Sequence, residues 1–81
     1  MSRMILEIIT PDKKIFSGDV HSVQVPGKKG KFEVLPNHAP IISTLEEGKV
    51  RIINTKHEKE YFLIEGGVIE VNKNRIIILA D

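Results

Sequence analysis

"KVRIINTKHEKEYFLIEGGVIEVNKNRIIILAD", Lys49 to Asp81, holds four short runs rich in Ile, Val and aromatic residues: Val50 to Asn54, Glu60 to Ile64, Val68 to Val71 and Arg75 to Leu79. Between them lie "TKHEK", "EGG" and "NKN", clusters of residues that favour turns. β-branched residues in short runs, punctuated by Gly and Asn, predict strands joined by tight turns. A helix is excluded because no window is long enough between turn signals, and Ala, Leu and Met are scarce where a helix would need them.

The same pattern continues toward the N-terminus. Strands are expected near Met4 to Ile9, Lys14 to Ser17, Val20 to Val25, Phe32 to Leu35 and Ile41 to Leu45, separated by "PDK", "SGD", "PGKKGK", "PNHAP" and "EEGK". Without crossover helices such strands do not form a parallel sheet, so the fold class is all-β, an antiparallel sandwich or barrel. In "DVHSVQV", Val20 has the opposite parity from Val23 and Val25; either a bulge lies near His21 and Ser22 or Val20 faces outward. "YFLI" and "RIIIL" are apolar on both parities, so these strands are central, or at a corner between sheets, or have an outer face that a partner covers.

With 81 residues, 41% hydrophobic and 28% charged, and a net charge of +1, the chain is a single domain, 1–81, of ordinary globular composition. It has no cysteine, hence no disulfide framework or thiolate metal site, which fits a reducing compartment. The apolar run Met4 to Ile9 is interrupted by Glu7 and followed by Pro11, and Ile76 to Ala80 is as short. Neither suffices for a signal peptide or a membrane span, so no direct membrane insertion is expected.

Catalytic chemistry finds no support. His21, His38 and His57 lack the spacing of a metal-ligand set. Ser2, Ser17, Ser22 and Ser43 sit in no nucleophile elbow. Glu46 and Glu47 are adjacent in a turn, while Asp12 and Asp19 suit turn positions. "PGKKGK" lacks the Ser or Thr and the helix of a phosphate-binding loop and reads as a hairpin tip kept soluble by Lys28, Lys29 and Lys31. Aromatic residues are not interleaved with arginines, so no nucleic-acid partner is indicated. Neither a catalytic residue, a cofactor nor a metal is expected, which leaves a binding or structural module.

Phe16-Ser17-Gly18, Pro36-Asn37-His38-Ala39-Pro40, Gly48-Lys49-Val50-Arg51-Ile52, Gly66-Gly67 leading into Ile69-Glu70-Val71, and the closing Leu79-Ala80-Asp81 occur in an order that resembles the N-terminal β-sandwich domain of the epsilon subunit family of F-type ATP synthases. The likeness spans Met4 to Asp81. It implies a flattened sandwich of about ten short strands in two sheets, with Gly18, Pro36, Gly48, Gly66 and Gly67 as structural turn positions. It also implies a noncatalytic rotor element at the cytoplasmic face of the bacterial inner membrane. The implied partners are the gamma subunit and the polar loops of the c-ring, with Lys28, Lys29, Lys31, Asn37, His38, Ala39 and Pro40 on the ring side. Asn37 stands where relatives usually carry glycine, and Asn is the residue best suited to replace Gly at positive φ. The three lysines stand where many relatives have acidic or small residues. Most bacterial relatives continue past the closing motif into a two-helix C-terminal domain that can inhibit hydrolysis; with a natural length of 81 residues that domain would be absent. Lipoyl or biotinyl carrier domains, which present a hairpin-tip lysine such as Lys28, Lys29 or Lys56, and small oligonucleotide-binding barrels are the alternative readings.

Overall fold

A computed structural model describes residues 3–81, so Ser2 lies outside the described residues. Eight strands follow one another: β1 (Met4–Ile9), β2 (Lys14–Val25), β3 (Phe32–Val34), β4 (Ile41–Leu45), β5 (Gly48–Asn54), β6 (Lys59–Ile64), β7 (Gly67–Asn72) and β8 (Arg75–Ala80). They are ordered β4-β7-β8-β1-β2-β5-β6, with β3 also paired to β2. The sheet curls so that one face encloses the core, and the count is eight strands rather than about ten.

The count falls because "SGD" makes no turn. β2 runs unbroken for twelve residues, and Gly18 pairs with Leu6 in its middle. β1 supplies partners from Phe16 to Val20, and a complete ladder outweighs the local turn preference of Gly and Asp. The parity change in β2 is a bulge: its pairing with β5 shifts between Val20 and Ser22, and both Val20 and Val23 are buried. At this point β2 leaves β1 and takes β3 and β5 as neighbours. The strand is therefore the corner that joins the two layers of the sandwich.

One pairing departs from the antiparallel expectation. β1 and β8 are parallel, aligning Leu6 with Ile76 and Ile8 with Ile78. Parallel neighbours need a long connection, and here β2 to β7 supply it in place of a crossover helix.

Alternation fills the core. Met4, Leu6 and Ile8 of β1, Ile76 and Ile78 of β8, Ile69 and Val71 of β7, and Val50 and Ile52 of β5 are buried in one cluster. Phe16 and Phe62 meet edge to face, with centroids 5.6 Å apart, against its margin. β8 is central, as its apolar run allowed, yet it still exposes Leu79; β6 is an edge strand, so its run is explained by an open outer face.

Candidate partner-docking surface

"LPNHAP" connects the third and fourth strands through a tight turn. His38 N–H donates to the Leu35 carbonyl at 3.1 Å, and Asn37 has φ of 68°. Proline at the second position and left-handed backbone at the third make this a type II turn, with Asn37 at the positive φ expected of it. The side chain of Asn74 fixes it further: its Oδ1 accepts the Asn37 N–H at 2.7 Å, and its Nδ2 donates to Asn37 Oδ1 at 3.3 Å. Asn74 itself has φ of 63°, in the β7–β8 turn, and its carbonyl accepts the Ile5 N–H. His38 Nδ1 lies 2.7 Å from the Ala39 carbonyl oxygen, so in the neutral ring Nδ1 carries the proton and Nε2 remains an acceptor. His38 is half-buried, and Ala39 and Pro40 are exposed.

The lysine loop is anchored more firmly than a free hairpin tip. Gly30 N–H bonds the Gly27 carbonyl, Lys28 N–H bonds the Thr44 carbonyl, and the Pro26 carbonyl accepts the Glu46 N–H at 2.8 Å. Gly27 forms an isolated bridge with Leu45. A Cβ on Gly27 would stand 2.6 Å from the Gly30 carbonyl oxygen, so the turn closes only around a glycine. Lys28, Lys29 and Lys31 are exposed, and among the described residues none of them enters a salt bridge.

These two segments do not form one cluster. The register puts Ile41 beside Val71 and Leu45 beside Gly67, so the Asn37 loop and the lysine loop border opposite ends of β4. What they share is the side of the sandwich where β3 and β4 are terminal strands. Along that side an open groove of about 670 Å³ is lined by Lys28, Lys29, Lys31, Phe32, Ile42 and Val68 among others. Ile42 is 72% exposed.

The face above it is also apolar. Val68 pairs with Leu79, which aligns with Ile9 in the parallel neighbour; Leu79 is 53% exposed. Glu70 interrupts the strip beside Ile77. On the opposite layer, Tyr61 and Leu63 are exposed beside Arg51 and Lys49. Arg51 Nη2 donates to Glu33 Oε2 at 2.6 Å and to Ser22 Oγ at 3.0 Å, joining β5 to β3 over β2. The hydrogen bond from Arg51 is the main reason that the Glu33 carboxyl is held below the ordinary carboxylate range.

Sequence reasoning did not identify Asn74, whose role depends on a partner thirty-seven positions away. It also treated His21 and His57 separately, although their rings stack 4.7 Å apart and 8° from parallel; only the β2–β5 register, Val20 beside Asn54, brings them together. Of the turn positions, Pro36, Gly66 and Gly67 lie in or beside turns. Gly48 opens β5, where a Cβ would meet the Pro26 ring at 2.9 Å, so close packing rather than a turn requires it.

The family described as "ATP synthase, Delta/Epsilon chain, beta-sandwich domain" matches residues 3–81. The chain belongs to this family. It is 51% identical to the ATP synthase epsilon chain of Protochlamydia amoebophila over 76 residues, covering 94% of this chain and 52% of the relative. It is 44% identical to the epsilon chain of Campylobacter hominis, covering 100% and 63%, and 43% identical to that of Chlorobaculum tepidum, covering 94% and 86%. The chain thus spans roughly half to two-thirds of the first two epsilon chains and most of the third. Among solved structures, a chain of the Euglena gracilis mitochondrial ATP synthase, in an assembly of OSCP, F1 and c-ring, has the same fold with a TM-score of 0.93 at 22% identity, covering 99% of this chain and 51% of that one. A chain of the Tetrahymena thermophila enzyme, from its central stalk and c-ring, gives 0.78 at 18% identity, covering 95% and 62%. Membership in the epsilon family sets aside the carrier-domain and oligonucleotide-binding readings.

Proposed function

We propose that this domain is a noncatalytic element of the ATP synthase rotor, held between the gamma subunit and the polar loops of the c-ring, so that ring rotation reaches the shaft. The observation that carries the reading is the strip of exposed apolar residues, Val68, Leu79 and the partly covered Ile9 and Ile77, on the outer face of β7, β8 and β1. Burying such a strip is the main source of affinity in a stable interface. Gamma is assigned to this face. The ring is assigned to the β3 and β4 side, with Lys28, Lys29 and Lys31 at one end of β4 and Asn37, His38, Ala39 and Pro40 at the other. Anchored loops suit that role, because a rotor contact must carry torque without yielding. No helix among the described residues is long and apolar enough to cross a membrane. In this reading the domain is held through its protein partners at the cytoplasmic face of the bacterial inner membrane.

Copurification with gamma tests the reading. The domain and gamma, coexpressed, are expected to elute as one complex at micromolar concentrations. Separate elution under those conditions would remove gamma docking from the proposal.

A further inference from the structure

We infer that the groove beside β4 receives an acidic partner segment of the ring, one that presents carboxylates to the lysine loop and an apolar side chain to Ile42. The inference rests on the docking reading above and adds the chemistry of the occupant.

Three observations converge. First, Lys28, Lys29 and Lys31 form no salt bridge among the described residues, although glutamates are near: Lys28 lines one depression with Glu46 and Glu47, and Lys31 lines a second one with the same two residues. Their charge remains available to another molecule. Second, the loop has a fixed shape. Lysines that serve only solubility need no ordered backbone, but here the Gly27 turn, the bond from Lys28 N–H to Thr44 and the bridge to Leu45 hold the three ammonium-bearing residues beside the groove. Third, an apolar side chain stands open beside the lysines: Ile42 lines the same groove and is 72% exposed. An apolar centre with a charged rim is the usual anatomy of a protein interface. Charge on such a rim acts mainly on orientation and association rate, so the sign of the rim selects the partner. An anionic lipid surface would satisfy the lysines, yet its headgroups give no account of the exposed apolar side chain of Ile42 that lines the same groove.

The test uses the purified c-ring in detergent and zero-length carbodiimide coupling, which joins a carboxylate to a lysine amine with loss of water only when the two are in ion-pair contact. Mass spectrometry of the coupled complex is expected to find Lys28, Lys29 or Lys31 linked to an Asp or Glu of the ring. The K28Q/K29Q/K31Q variant should lose that product, bind the ring about tenfold more weakly at low salt, and lose most of the salt dependence. Ile42→Ser should weaken binding at every salt concentration. A variant with K56Q and K59Q, on the β5–β6 hairpin, should bind as the parent does. Ring binding that is equally tight in the triple variant, with no lysine-loop product, would overturn the acidic-segment inference and leave ring docking standing. Failure of the parent chain to bind the ring would instead remove the docking reading. Binding of the parent to vesicles containing anionic phosphatidylglycerol, lost in the triple variant while ring binding persists, would assign the lysines to lipid and overturn the inference.

Discussion

Asn37 and Asn74 both hold left-handed backbone, and each uses its side chain on the other's segment. The first half of this arrangement is legible in the sequence: proline followed by asparagine before a histidine satisfies a type II turn. The second half is not, because nothing local in "NKN" announces a distant acceptor. Asn37→Gly should preserve the turn and cost little, whereas Asn37→Ala should cost about 1–2 kcal/mol from backbone alone, read as a lower urea midpoint. Asn74→Gly keeps the permitted φ but removes both side-chain bonds, so amide exchange at Asn37 should accelerate while core amides remain protected. Gly67 is a more severe case. Its φ is 147°, and an added methyl would be driven into the Leu79 carbonyl oxygen at the β7–β8 pairing. Gly67→Ala is therefore expected to destabilise the domain by about 3 kcal/mol or more, measured by equilibrium denaturation.

At the scale of elements, the strand boundaries for β1 and β4 were legible because alternation and flanking proline or glycine agree. β2 was misread because a turn-forming triplet sat where the partner strand continued the ladder, and pairing over long sequence distances is not a local property. The placement of β3 shows the same limit, since only the fold brings Glu33 to Arg51. That pair gives the domain a specific response to acid. An unfolded glutamate titrates near about 4.3, and folding holds Glu33 lower because Arg51 donates to it. The folded form thus binds its proton less readily, so the stabilisation is complete above the unfolded value and is lost as pH falls through the folded one. Because the Glu33 side chain is 39% exposed, the contribution is at most ~1 kcal/mol. Urea midpoints of the parent and Glu33→Gln should differ at pH 7, and the difference should shrink as the pH falls below the unfolded value and vanish once it is below the folded one.

For the whole molecule, the sequence disclosed that some outer surface was too apolar, but it could not locate it, since the outer neighbours of each strand depend on the sheet order. The order β4-β7-β8-β1 assembles Val68 and Leu79 into one strip and leaves Leu63 on the other layer. A standard interface needs about 800 Å² from each partner; against a total surface of 5197 Å² this requires a sheet face, not a loop alone. Leu79→Glu and Leu63→Glu therefore discriminate between the layers. Both side chains are more than half exposed, so each variant should keep its urea midpoint within the equivalent of about 0.5 kcal/mol. If gamma covers the strip, Leu79→Glu leaves a carboxylate without a partner in a desolvated contact, and the gamma complex should weaken at least about tenfold. Leu63→Glu should leave that complex intact. The reverse pattern in the same copurification and titration experiment would assign gamma to the β5–β6 layer, and would leave the strip to another component of the rotor.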